Sequence, residues 1–231
     1  MKILIALKVC HRYTPMVGKG WEWTNQEKHK SVAVDKQIAA CRETWVGDFT
    51  VCPNVDVKFF YGRGGNRRPL PDEIFLDCAD DYISLPYKTK AICAWATERC
   101  YTHTFLTDDD TFVWAGNLMN SGFESFDYVG SVNDTRPRSP YITGLGYWLS
   151  ARAAKLVVVA PVTNTLEDHW VGSVMQKAQI APKQDWRYVS IGSKFVGVEK
   201  MPRNPEFIAL HPCNPEMIRA CASEIKRGVS Q

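Results

Sequence analysis

Apolar residues fall along this chain in two rhythms, short continuous runs and stretches with helical spacing. Ile3 to Val9 is apolar except at Lys8 and reads as the first core strand. Ser31 to Trp45 carries Val34, Ile38, Cys41 and Trp45 at helical spacing, so strand and helix form a first β-α unit. Between them, His11 to Lys30 is polar, aromatic and glycine-containing, which predicts a long loop beside the strand's carboxyl end. Val55 to Tyr61 predicts a second strand, ended by the breaker-rich Gly62 to Pro69. Tyr87 to Cys100 predicts a helix with Ile92, Trp95 and Ala96 on one face, leading directly into a strand at His103 to Thr107. Strand, helix, strand in that order implies a parallel crossover. Further strands are expected near Tyr128–Val132, Tyr141–Leu149 and Arg187–Ile191, with helices near Ala151–Val159 and Asp168–Gln179. The whole reads as one α/β domain over 1–231 with a mostly parallel central sheet flanked by helices, less regularly alternating in its second half.

The strand at His103–Thr107 stops at three consecutive carboxylates, Asp108, Asp109 and Asp110, and apolar Phe112-Val113-Trp114 follows at once. Acids at the carboxyl end of a strand lie where open α/β sheets bind ligands, and hard oxygen ligands suit Mg²⁺ or Mn²⁺ carrying phosphates. The plain alternative is an acidic loop in which Thr107 or Asp110 caps a following helix. Gly62 to Pro69 lacks the Gly-Lys-Ser/Thr ending of a phosphate-binding loop, so it reads as a turn.

Composition narrows the function classes. A chain of 231 residues can bury a substantial core, and its net charge of +3 is too small to demand a nucleic-acid partner. The arginine clusters Arg63/Arg67/Arg68 and Arg136/Arg138 could favour an anionic partner, but solvated loops are the preferred reading. The longest apolar run, Leu156 to Val162, is far short of a membrane span. Met1 to Leu7 runs into Lys8, His11 and Arg12 without a cleavage site, so it reads as a core strand and not a signal peptide. Eight cysteines could form a disulfide framework, but without a secretory signal they read as free thiols in a reducing, cytoplasmic setting, and none sits in a zinc-like pair.

Four further segments and one late histidine stand with the triplet: Arg42-Glu43-Thr44-Trp45, Leu85-Pro86-Tyr87-Lys88-Thr89-Lys90, Thr143-Gly144-Leu145-Gly146-Tyr147, Glu167-Asp168-His169-Trp170-Val171-Gly172, and His211. Singly each has an ordinary explanation: a surface charge, a bulge at the glycines, an acidic first turn favoured by the helix dipole, a packed histidine. In this order they resemble the β-1,3-glycosyltransferase family of galactosyltransferases, N-acetylglucosaminyltransferases and Fringe. The resemblance runs from the first strand to about Pro215, and an anchorless microbial or viral cytosolic relative fits the absence of an amino-terminal membrane segment.

The resemblance implies a GT-A-type nucleotide-sugar-binding fold, with a nucleotide-binding half over 1–115 and an acceptor-facing half over 116–231. It implies a UDP-sugar donor held through Mn²⁺ or Mg²⁺, and transfer with inversion to a hydroxyl. Asp110 and His211 would be metal ligands, and Asp108 and Asp109 would touch ribose or sugar hydroxyls or bind metal through water. Arg42 and Lys88 or Lys90 would contact nucleotide phosphate or orient the triplet. Gly144 and Gly146 would let backbone approach the donor sugar, while Tyr147, Trp148 and Trp170 offer stacking faces. Asp168 would be the catalytic base, with Glu167 as fallback. The acceptor is a glycan or protein hydroxyl, or, in a viral setting, a hydroxymethylated DNA base that must be flipped out. Two other classes compete: an inactive nucleotide- or sugar-binding module, and a two-metal phosphohydrolase, against which the lack of further clustered acids argues.

Overall fold

Strand β1 (Ile3–Lys8) is buried at every position, and its side chains alternate between two cores. Ile3, Ile5 and Leu7 join one cluster, Leu4 and Ala6 the other. A strand covered on both faces favours apolar residues throughout, which is why the run is continuous as far as Lys8. The computed structural model describes residues 1–10, 34–63, 68–135, 139–191 and 206–229. The expected loop at His11 to Lys30, the helix start at Ser31, and Arg67, Arg136 and Arg138 lie outside the described residues.

Strands β2 (Val55–Arg63) and β4 (His103–Asp108) flank β1 in parallel, in a register that sets Lys8 level with Asp108. With β3 (Glu73–Ala79), β6 (Tyr128–Asn133), β7 (Tyr141–Ser150) and β8 (Lys183–Gln184) they make a seven-stranded sheet of order β3-β2-β1-β4-β7-β6-β8. Only β7 runs against its neighbours. β4 from the first half pairs with β7 from the second, so one sheet is built from both. A small second sheet, β5 (Phe112–Val113), β10 (Ala209–His211) and β9 (Tyr188–Ser190), sits beyond the end of β4 with β10 in the middle.

Helices cover both faces. Ile38 and Cys41 of α1 (Val34–Glu43) and Met217, Ile218 and Cys221 of α6 (Pro215–Val229) pack into the core with Ile5 and Phe105. Ile92 and Ala96 of α2 (Leu85–Glu98), Val157 of α4 (Ala151–Val159) and Trp170 and Val171 of α5 (Glu167–Lys177) close the opposite core. A short α3 (Ala115–Met119) follows β5. Each fully buried aliphatic side chain contributes about 1.5–3 kcal/mol, so the two clusters make this sheet a rigid platform.

The structure departs from the sequence reading at definite points. β2 does not stop at Gly62 but continues through it, because this glycine lets two backbones touch. A Cβ there would lie 2.6 Å from the Ala79 carbonyl oxygen, and the Gly62 amide donates to Asp80 Oδ1 at 3.0 Å. β3, β5, β8, β10, α3 and α6 are additions. Arg63 is exposed and ion-paired with Asp77 across β2 and β3. All eight cysteines are free thiols, and among the described residues no helix is long and apolar enough to cross a membrane.

Candidate active site

The carboxyl ends of β1 and β4 meet the amino end of α5, and acidic groups from distant parts of the chain collect there. Lys8 closes β1 with a side chain that is 1% exposed, its ammonium 3.3 Å from Asp108 and 3.4 Å from Glu167. Burial alone would strip its proton, yet the two carboxylates outweigh that and hold it charged. The Glu167 oxygen facing it also accepts the Thr89 hydroxyl at 2.6 Å and the Tyr147 hydroxyl at 2.5 Å. Glu167 is thus a buried, multiply bonded anchor, which removes it as the fallback proton acceptor.

Asp168, one residue on, is only half-buried. Burial, followed by the charge of Glu167, pushes its carboxyl up to about 6, with the His169 and Gly144 amides and Lys8 pulling the other way. The His169 amide donates to it at 2.8 Å. A carboxylate that titrates just below neutrality is ionised at pH 7 yet basic enough to take a proton, as general base catalysis requires.

On the other side, Asp110 Oδ1 lies 3.2 Å from His211 Nδ1. These side chains keep 20% and 22% of their surface open, so a small ligand can reach both. The pairing Leu210 to Phe112 between β10 and β5 brings His211 to the acidic turn, and Thr111 Oγ1 stands 3.1 Å from the same imidazole nitrogen. Burial works against a charged imidazole, but Asp110 and Asp108 override it and raise its pKa. Main-chain contacts fix the turn: the Cys213 amide donates to the Asp110 carbonyl at 2.7 Å, and the Cys41 thiol donates to the Asp109 carbonyl at 3.2 Å. The Thr107 and Thr111 hydroxyls both donate to the Leu145 carbonyl, at 3.2 and 3.3 Å, tying β4 and the turn to β7. Burial and its two acidic neighbours raise the Asp109 carboxyl well above the carboxylate range.

Among the described residues no three metal-ligating side chains converge into a ready cage. The open Asp110–His211 pair still fits a magnesium- or manganese-type ion, which keeps several waters and takes one or two protein ligands together with substrate phosphates. The surplus of carboxylates over cations at this edge favours a cation as well.

Other residues singled out in the sequence sit elsewhere. Lys88 is fully buried; its ammonium donates to Asp80 at 2.6 Å and to the Val9 carbonyl. It cannot reach a phosphate, although its charge bears on Asp109. Lys90 donates to the Ala160 carbonyl at 2.7 Å, behind the end of α4. Arg42 is gripped by Asp72 at 2.8 and 2.9 Å and by Glu73 at 2.9 Å, and lies over the Phe59 ring. It braces the start of β3. Tyr147, Trp148 and Trp170 are fully buried and offer no stacking face. The two glycines divide: a Cβ on Gly146, at φ +152°, would strike the Phe105 ring at 2.7 Å, whereas one on Gly144 would meet nothing within 4 Å. Gly146 therefore serves packing, and Gly144 faces open space beside Asp168.

Two groups escape the sequence reading altogether. Lys8 is one, a lysine at the edge of an apolar run whose depth depends on which strands pair with it. Tyr82 is the other; burial, then Asp108 and Asp168, push its phenol up to about 12.

No protein-family model matches the sequence, and no curated protein does. Solved structures of similar shape include a candidate nucleotide-diphospho-sugar transferase from Desulfovibrio desulfuricans, 14% identical over 80% of each chain with a TM-score of 0.46. HddC from Yersinia pseudotuberculosis is 12% identical over 70% of this chain and 81% of its own, with a TM-score of 0.42, and has also been solved with GMP-PN. The 2-C-methyl-D-erythritol 4-phosphate cytidylyltransferase from Thermus thermophilus is 8% identical over 80% of this chain and 87% of its own, with a TM-score of 0.41. Likeness at this level leaves the reaction to be argued from the site itself.

Proposed function

We propose that this chain is a metal-dependent, inverting glycosyltransferase that moves a sugar from a UDP-sugar to an acceptor hydroxyl. One observation carries the reading: the open Asp110–His211 pair and a carboxylate poised near neutrality, Asp168, converge at one sheet edge from three distant segments. The order of motifs resembling the β-1,3-glycosyltransferases supports the choice of UDP and of inversion.

Asp110 and His211 would hold Mn²⁺ or Mg²⁺, which when bound neutralises the charge growing on a departing diphosphate. Asp168 takes the acceptor hydroxyl's proton as that oxygen attacks the anomeric carbon. The new carbon–oxygen bond forms as the bond to phosphate breaks, its electron pair leaving on UDP. One displacement inverts the centre. Asp109 and Asp108, the latter fixed by Lys8, would contact sugar or ribose hydroxyls or meet the metal through water. Gly144 leaves room for the donor sugar in front of Asp168. The acceptor is a glycan or protein hydroxyl, with a nucleic acid the second class.

The test is UDP release from a panel of UDP-sugars with Mn²⁺, with and without glycan acceptors. Asp168→Asn should keep UDP–Mn²⁺ affinity in calorimetry while turnover falls roughly 10²–10⁴-fold, the usual contribution of a general base. Asp110→Ala and His211→Ala should lose metal and nucleotide binding together. Binding without any turnover across the panel would identify a nucleotide-binding module instead, and no UDP binding at all would sink the reading.

A further inference from the structure

We propose that Lys8 is the positioning residue of this site, its buried ammonium tying Asp108 to Glu167 and so holding the strand end that carries the acidic turn against the helix turn that carries Asp168. The role of Asp168 in this statement rests on the function proposed above; the geometry does not.

Positions 3 to 7 and 9 of this buried strand are all apolar and sealed in the core. Lys8 is the exception, itself 2% exposed. A buried ion pair is rarely more stabilising than apolar residues of the same size, since each ion's desolvation costs several kcal/mol. Stability alone therefore gives no reason for a cation here. Its location gives one. The ammonium bridges 3.3 Å to the last residue of β4 and 3.4 Å to the first of α5, and those two elements carry the opposite walls of the site. Tyr147 completes the network, its ring 5.7 Å from the ammonium and its hydroxyl on Glu167.

The same charge faces Asp168. The groups bearing on that carboxyl are Glu167 beside it, Lys8 from β1, Tyr82 ahead of α2, Tyr128 from β6, and the His169 and Gly144 amides. Those bearing on Lys8 are Asp108, Glu167, Tyr82, Cys93 of α2 and His211 of β10. Among the groups around Asp168, Glu167 disfavours its ionised form and Lys8 favours it. Without Lys8, less of the base would be ionised at the pH where it must accept a proton.

The experiment is a ¹³C-carboxyl NMR titration of aspartate-labelled protein without metal or nucleotide, the Asp168 signal being assigned by its loss in Asp168→Asn. The parent should titrate with a midpoint near 6. In Lys8→Met the midpoint should rise by about one pH unit, roughly tenfold in proton affinity, and Lys8→Arg should restore most of the difference. A folded Lys8→Met with an unmoved midpoint overturns the proposal, because a purely structural lysine would alter melting alone. If Lys8→Met does not fold, Glu167→Gln is compared with the double variant Lys8→Met/Glu167→Gln, where both members of the pair are neutral. The double variant should titrate higher by a similar interval, and equal midpoints overturn the proposal. No donor sugar enters the measurement, so failed UDP release defeats the proposed function while this titration still decides the role of Lys8.

Discussion

Replacing Asp168 by asparagine should make the protein harder to melt while removing its proton acceptor. The carboxyl is moved from an ordinary 3.8 to about 6, chiefly by burial and then by Glu167. At 1.36 kcal/mol for each pH unit, the ionised form is held at a cost of about 3 kcal/mol at neutral pH. Partial exposure trims this to roughly 1.5–3 kcal/mol. Asparagine is uncharged at every pH, and its carbonyl still accepts from the His169 amide. For a chain of this size each kcal/mol is about 2–4 °C in Tm, so a rise of roughly 3–12 °C is expected at pH 8. The sign follows from the raised folded-state value: the parent is fully favoured by this group below about pH 4, and that contribution is lost as pH climbs through 6. The gap between variant and parent should therefore be near zero at pH 4, open between 4 and 6, and stay constant above 7. Differential scanning fluorimetry across that range, alongside UDP release, measures both effects. A variant that melts lower at pH 8, or a gap that does not change with pH, refutes the reasoning.

Three further outcomes follow from the packing. Gly146→Ala should cost about 1–3 kcal/mol in urea unfolding, because its Cβ meets the Phe105 ring. Gly144→Ala should leave stability within about 0.5 kcal/mol, since nothing of the protein is near, but weaken UDP-sugar binding in calorimetry. Lys88→Met should lower stability by about 3–5 kcal/mol, because Asp80 is left buried without its cation, while UDP affinity of the folded protein holds; selective loss of UDP affinity would restore Lys88 as a phosphate contact.

The frame and the acidic edge were legible in the sequence because local pattern decides them. A continuous apolar run can only be a covered strand at β1, and a strand that halts at three acids advertises its carboxyl end. Depth was less legible. Lys88, Ile92 and Ala96 are spaced four apart, so the lysine lies on the buried stripe of α2, a clue that the spacing itself offers and that its charge obscures. α6 carries the same kind of pattern in Met217, Ile218, Cys221 and Ala222. Lys8 is a different case, since only the register of β1 against β4 puts it beneath Asp108, and no local signal encodes that register. β5, β9 and β10 are two or three residues each and exist as strands only by pairing with one another. Arg42 sits beside Asp72 and Glu73 because β3 begins alongside β2 in parallel register, a long-range event.

The acidic turn is aimed by main chain as much as by side chains, since it is the amide of Cys213, not its thiol, that grips the Asp110 carbonyl. Any residue able to fill the same small niche, where the thiol meets the Leu210 carbonyl at 3.3 Å, could supply that amide. Evolution is thus free to exchange the cysteine for alanine, yet a single-residue insertion between β10 and α6 would swing the carboxylates out of line without altering one of them.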